Sequence, residues 1–234
     1  LSTEGILQSD ERITTVKERI IAGTQQIVRV DTETDKLISE NERNLLLDKI
    51  KVLALDAQVI IFEDYDKGVL SKELIAEVID FAQEHHIPTV VDPKKRNFLN
   101  YQNATLFKPN LKELKEGLNI QFDSKDPAEL AMAVNMLIET LEVKGAFVTL
   151  SEQGVFINFK DEEKHIPAHI RQIADVSGAG DTVISIAACC VALNLSPELV
   201  AGLSNLGGGL VCESVGVVPI NKERLLAEAQ QNYN

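Results

Sequence analysis

Residues 57–93, AQVIIFEDYDKGVLSKELIAEVIDFAQEHHIPTVVDP, decide how the fold is read. AQVIIFED (57–64) is a short apolar run ending in acids, the pattern of a strand buried on both faces. Leu70, Leu74, Val78 and Phe81 then recur at helical spacing, and this helix is expected to stop near His86 and Pro88. IPTVVDP (87–93) reads as a second strand. Strands alternating with helices in this way imply a largely parallel sheet with helices on both faces.

The alternation extends in both directions. Upstream, Leu46, Ile50 and Leu53 mark a helix within 40–54. Downstream, ATLFKPN (104–110) is a third strand, and Leu130, Val134, Leu137 and Leu141 share one helical face within 127–142. GAFVTLSEQGVFINF (145–159) reads as two strands about a glycine-containing turn. Two apolar helices are expected over 178–193 and 196–211, and a closing one over 220–231. The first 35 residues differ from the rest. TTVKERIIAG and TQQIVRVDTE alternate polar and β-branched residues around Gly23-Thr24, a hairpin signal, with Lys17, Arg19 and Arg29 projecting. Such a ribbon is too small to bury a core, so it is expected to cover something or to pair with another ribbon.

Composition narrows the function. Hydrophobic residues make up 44% and charged residues 25% of 234, so the chain can bury a sizeable core. Its formal net charge of −13 argues against nucleic acid as a partner, because a grip on phosphates needs clustered positive charge. No apolar run approaches the ~18 residues needed to cross a bilayer, so no membrane partner is expected. LSTEGILQSDER, at the start, lacks the pattern of a secretory leader. Three cysteines, Cys189, Cys190 and Cys212, make a poor disulfide framework and a poor zinc pattern; small buried side chains in a reducing cytoplasm fit them better. His165 and His169 are separated by Pro167, which argues against a metal-binding helix.

In such sheets ligands bind where strands end and helices begin. DVSGAGDTVI (175–184) is the strongest signal there. Gly178, Ala179 and Gly180 stand before a helix whose first turn carries Asp181. Open amides and the helix dipole favour an anion, and a carboxylate beside an anion hole suits a general base in phosphoryl transfer. The alternative is an ordinary helix start with an acid placed for the dipole. Val183 stands where a dinucleotide fingerprint needs its third glycine, and GxxxxGK[ST] is absent. In PNLKEL (109–114), Asn110 and Glu113 suit the water shell of Mg²⁺ on nucleotide phosphates, or an ordinary helix cap. TLSEQG (149–154) offers Thr149, Ser151 and Gly154 to a nucleotide, or is a plain hairpin turn. Lys94, after Asp92-Pro93, can meet a phosphate or simply be solvated. Asp64 and Lys67 lie at another strand end.

Together these residues resemble the ribokinase-like sugar kinases, the phosphofructokinase-B family. DVSGAGD (175–181) is similar to the family's C-terminal signature, NLKE (110–113) to its Asn-xx-Glu motif, and TLSEQG to its nucleotide loop. Asn205 falls where the family places an adenine-side contact. A narrower resemblance, carried by residues 14–33, 63–70 and 91–114, is to the kinase part of bacterial ADP-heptose synthesis proteins.

The resemblance implies a ribokinase-like α/β fold, with residues 1–35 forming part of a β-ribbon lid and residues 36–234 a kinase domain. It implies ATP, Mg²⁺ and a monovalent cation such as K⁺ near Asp175, Ser177 and Gly216. The expected reaction is phosphorylation of the 1-hydroxyl of D-glycero-D-manno-heptose 7-phosphate, with Lys17, Arg19, Arg29, Asp64 and Lys67 as candidate sugar-phosphate contacts and a homodimer through the lid. The family's early Gly-Asp sugar-binding segment and the nucleotidyltransferase domain that often follows the kinase have no counterpart in these residues. Glu63 and Val176 depart from the common pattern, replacing a small polar residue and a threonine. A kinase for another sugar or nucleoside, and a non-catalytic nucleotide-binding module, are the rival readings.

Overall fold

An antiparallel ribbon of β1 (Val16–Ala22) and β2 (Gln25–Thr32) stands ahead of a six-stranded sheet in the computed structural model, which describes residues 2–22 and 25–233. The turn expected at Gly23-Thr24 lies outside the described residues. The register places Lys17 opposite Asp31 and Arg19 opposite Arg29, giving one charged face. Val16, Ile20, Val28 and Val30 share the other face and are exposed, since a two-stranded ribbon has no second layer to bury them.

The remaining elements are α1 (Glu40–Leu53), β3 (Ile60–Glu63), α2 (Lys72–Glu84), β4 (Thr89–Asp92), β5 (Leu106–Phe107), α3 (Leu111–Leu118), α4 (Pro127–Leu141), β6 (Gly145–Thr149), β7 (Val155–Phe159), β8 (Glu162–Ile166), α5 (Ala179–Ala192), α6 (Pro197–Val211) and α7 (Lys222–Asn232). Strands β3 to β8 lie side by side in sequence order. The pairs from β3 through β6 are parallel; β7 and β8 extend the sheet antiparallel, so it is mixed at that edge. Successive side chains enter opposite layers, as strand geometry requires. Phe62, Val91, Phe107, Ala146 and Phe156 pack with α1 to α4. Val90, Leu106, Phe147 and Ile157 pack with α5 and α6.

Local chemistry sets the helix starts. Ser39 and Glu42 form a reciprocal capping box on α1, Ser71 caps α2, and Asp126 and Ser196 cap α4 and α6 ahead of proline at the first helical position. Helix α5 begins at Ala179 rather than Gly178, because Gly178 takes φ +79°, a left-handed conformation open to glycine at little cost. Cys190 and Cys212 are buried as expected, but Cys189 is exposed on α5.

One polar cluster fixes the turn after β3. Asp64 is 3% exposed, and its Oδ2 accepts from Tyr101 Oη at 2.8 Å and Asn97 Nδ2 at 3.0 Å. Its Oδ1 accepts from the Asp66 amide at 2.7 Å. Removing the tyrosine hydroxyl leaves a buried carboxylate short of a donor. Tyr101→Phe is therefore expected to lower unfolding free energy by about 1.5–3 kcal/mol, the worth of a hydrogen bond to a charged group, read as a lower urea midpoint at unchanged slope.

Candidate active site

The ends of β3 and β4 lie against α5. Glu63 ends β3 and stands beside Asp92, which ends β4. Asp92 pairs with Lys108 at 3.1 Å, and both side chains are under a tenth exposed. The Lys108 amide donates to Val91 O at 2.8 Å, so the strand ladder itself delivers the lysine to this place. Gly180 lies over the pair: a Cβ there would sit 3.8 Å from Asp92 Oδ2. Neither Lys108 nor its pairing with Asp92 is visible in the sequence; both depend on register between strands far apart in the chain.

Asp181 is exposed in the first turn of α5, and its charge acts on the Glu63 carboxyl. Burial, then the charges of Asp92 and Asp181, push the Glu63 carboxyl up to about 7, while Lys108 pulls the other way. Burial also raises Asp92, against the pull of Lys108 and Lys94. The first-turn amides do not all stay open. Ala179 N–H donates to Val176 O at 3.3 Å, which takes it out of the expected anion hole. Gly178 and Gly180 keep amides with no acceptor among the described residues, and Asp181 joins them.

The nucleotide-side candidates converge. Asn110 and Glu113 form a capping box on α3, each side chain bonding the other's amide at 2.9 Å. The second Glu113 oxygen pairs with Lys94 Nζ at 2.9 Å. Burial works against the charge of Lys94, but Glu113, then Asp92 and Glu63, outweigh it and hold the ammonium above its usual pKa. An isolated parallel bridge joins Asn110 to Thr149, and the Thr149 amide donates to Pro109 O at 3.1 Å. Ser151 and Asn110 both line a cavity of about 540 Å³ beside α3. Gly154 closes the turn into β7 at φ +88°. Asn205 reaches from α6 to Pro167 O at 2.9 Å.

Asp175, Ser177 and Gly216 also meet. Asp175 Oδ1 accepts from the Ser177 amide at 3.0 Å and hydroxyl at 2.8 Å, and Oδ2 from the Gly216 amide at 3.0 Å. These bonds, led by the Ser177 amide, hold the Asp175 carboxyl below its usual range. Among the described residues no group of three or more His, Cys, Asp or Glu side chains is arranged to hold a metal.

A second cavity of about 960 Å³ runs from the ribbon to β3, bordered by Lys17, Phe62, Glu63, Asp64, Tyr65 and Lys67. The candidate sugar-phosphate contacts divide here. Lys17 and Lys67 both pair with Glu33, at 3.1 and 2.5 Å, and Lys17 also reaches Asp31 at 3.4 Å. Arg29 pairs with Asp31 at 2.9 Å, and Arg19 has no ion pair among the described residues. Asp64 departs from expectation: it borders the cavity, but its oxygens are held by Tyr101, Asn97 and the Asp66 amide.

Over residues 1–224 the chain matches the pfkB family of carbohydrate kinases. It is 36% identical over 223 residues, 95% of its length, to the Bifunctional protein HldE of Syntrophotalea carbinolica, covering 45% of that protein. It is 35% identical over 233 residues to the Bifunctional protein HldE of Helicobacter pylori, covering all of this chain and 50% of that one. The chain thus spans about half the length of these curated relatives. Among solved structures, phosphofructokinase-2 from Escherichia coli in complex with potassium superposes with a TM-score of 0.81 at 18% identity, over 95% of this chain and 72% of that one. Arabidopsis thaliana ribokinase complexed with ribose and ATP superposes with a TM-score of 0.65 at 15% identity, over 88% of this chain and 65% of that one. These likenesses show a ribokinase-like fold, and the chain belongs to the pfkB family of carbohydrate kinases.

Proposed function

We propose that the protein transfers the γ-phosphoryl group of ATP to the 1-hydroxyl of D-glycero-D-manno-heptose 7-phosphate, a step toward ADP-heptose and the lipopolysaccharide core. The observation that carries the phosphoryl-transfer chemistry is Asp181, exposed at the mouth of α5 beside open amides. The likeness to HldE proteins across nearly the whole chain supports the heptose acceptor.

In this reading ATP lies along Thr149, Ser151, Gly154 and Asn205, with its phosphates near Asn110, Glu113 and Lys94. The sugar hydroxyl rests against Asp181, which takes its proton. A bond forms between the sugar oxygen and the γ-phosphorus as the bond to the bridging oxygen of ADP breaks. ADP leaves, and the proton passes from Asp181 to water. Amides of Gly178 and Gly180 stabilise charge on the moving group. The carboxylate and amide oxygens at Asn110 and Glu113 suit a hard cation held through water, so they fit Mg²⁺, which supplies charge neutralisation on the phosphates when bound. Asp175, Ser177 and Gly216 offer oxygen donors that fit K⁺.

The ribbon closes over the sugar and excludes water. Lys17, Arg19, Arg29 and Lys67 serve the distant phosphate, exchanging carboxylates of the ribbon for the ligand. The exposed apolar face of the ribbon packs against that of a second copy to give a homodimer. Three free thiols suit the reducing cytoplasm, where we place the reaction.

Three measurements test the proposal. With ATP and Mg²⁺, ³¹P NMR is expected to reveal a 1,7-bisphosphate from heptose 7-phosphate in preference to products from ribose, fructose phosphates or adenosine. Faster transfer to one of those acceptors overturns the heptose reading, and ATP binding without any phosphorylated product overturns the kinase reading. Asp181→Asn is expected to keep ATP affinity while turnover drops roughly 10²–10⁴-fold, the usual worth of a general base; an undiminished rate removes Asp181 from that role. Light scattering is expected to find a dimer at micromolar concentration, and Val28→Glu, which puts a charge on the apolar face of the ribbon, a monomer.

A further inference from the structure

Helix α7 buries no residue of its own and carries none of the candidate site residues. Two of its side chains nonetheless belong to a closed ring of charge. Arg171, between β8 and α5, places Nη1 2.7 Å from Glu213 Oε1 and Nη2 2.5 Å from Glu228 Oε2. Arg224 completes the ring, with Nη2 2.6 Å from the other Glu213 oxygen and Nε 3.2 Å from the other Glu228 oxygen. Each arginine thus bridges both carboxylates. The Arg171 side chain is 8% exposed and lies over α6, where a Cβ on Gly209 would come within 2.9 Å of its Nε. A guanidinium forked between two carboxylates and shielded from water holds its geometry far better than an exposed lysine pair does.

The ring stands at one end of a seam between two loops of the candidate site. Glu213 follows Cys212, whose carbonyl accepts from the Ala174 and Asp175 amides at 2.8 and 3.2 Å. At the far end the Gly216 amide donates to Asp175 Oδ2, and the Ser177 amide to Oδ1, both at 3.0 Å. Val217 then closes on the next turn, since a Cβ on Gly178 would lie 3.1 Å from Val217 Cγ1. We propose that the ring makes α7 a strap for the active site: Glu228 and Arg224 hold Arg171 and Glu213, and so position the 175–178 turn that aims Gly178, Gly180 and Asp181. Arg171 is a positioning residue in this arrangement, because it acts through Asp175 and Gly178. The effect on catalysis rests on the kinase reading; the coupling of α7 to the turn does not. Amides aligned on a moving phosphoryl group lose their value with small displacements. Asn110 and Thr149 keep their places on other elements, at the start of α3 and in β6. Loosening the strap is therefore expected to slow turnover more than it weakens ATP binding.

Two measurements test the proposal. The first needs no turnover: Glu228→Gln and Arg224→Gln weaken the ring from its more exposed side, and amide hydrogen exchange is followed by NMR. The Ser177 and Gly216 amides are expected to exchange several-fold faster, while those of β6 keep their rates. Unchanged exchange at Ser177 and Gly216, or a rise shared equally by β6, overturns the strap. The second is steady-state kinetics. Arg171→Met is expected to lower kcat roughly 10-fold or more with KM for ATP within about twofold. Arg171→Lys, which keeps the charge but not the fork, should recover part of that loss. If Arg171→Met fails to fold, Glu228→Gln carries the same kinetic expectation. Adding Glu228→Gln to Arg171→Met should cost little more, because both break one ring. An undiminished kcat, or two losses that simply multiply, overturns the positioning role. Faster exchange confined to the turn, without product from any acceptor, upholds the strap and sinks the kinase reading alone.

Discussion

The buried pair of Asp92 and Lys108 is the constraint on which the site depends. Three carboxyls, Glu63, Asp92 and Asp181, converge where β3 and β4 meet the first turn of α5. Like charges so close repel, and a neighbouring cation offsets that repulsion. Lys108 supplies that cation from the next strand, held at 3.1 Å with little of either side chain reaching water. Breaking such a pair by removing one partner strands a charge in the interior, a cost of about 3–5 kcal/mol. Register, not chain proximity, delivers the lysine: the hydrogen bond from its amide to Val91 O fixes its backbone beside β4. The backbone ladder and the electrostatics of the cleft are therefore one structure.

A different set of charges ties the ribbon to the body. Glu33 bridges Lys17 and Lys67, and Arg96 binds Asp35 at 3.2 Å and Asp66 at 2.8 Å. Arg12 donates to the carbonyls of Lys36 and Lys67. All these contacts sit at the foot of the ribbon, while its strands touch solvent on both faces. Solvent-exposed ion pairs are individually weak, so this attachment orients the ribbon without burying it in the core. Lys17 and Lys67 are held at the cavity edge by the same carboxylate, which offsets one of their two positive charges.

The sequence made the core legible where strands are covered on both faces. VIIF, TVVD and AFVT are continuous apolar runs because helices lie above and below them, and each run proved to be a strand. Strand β8 (EEKHI) escaped notice because it is the sheet edge: four of its five residues are exposed, and its charges mask the alternation. Helix α3 has eight residues, too few for periodicity to stand out, although its cap at Asn110 and Glu113 was visible as a motif. The same contrast holds in the site. Gly178, Gly180 and Asp181 are neighbours in the chain and could be read together. Glu63, Asp92 and Lys108 meet only through parallel register, and no local pattern announces that meeting. The partners of Asp64 are hidden for a related reason: an acid at a strand end looks the same whether it faces a ligand or a buried tyrosine.

The small residues of α6 explain how that helix positions the start of α5. A Cβ on Gly208 would lie 2.6 Å from Val183 Cγ2, and one on Gly207 would overlap Ile186. Helix α5 can therefore press its Val183 and Ile186 turns directly onto the backbone of α6, while its other face meets Val90 and Leu106 of the sheet. Packed interiors do not yield gradually to added volume, so this seam sets the height of α5 above the sheet. Val183 lies two residues beyond Asp181, within the same turn and a half of helix. Any lift at the seam is transmitted to the mouth of α5, where Gly180 rides over Asp92. The glycines of α6 thus act on the site at a distance, through the rigidity of one helix.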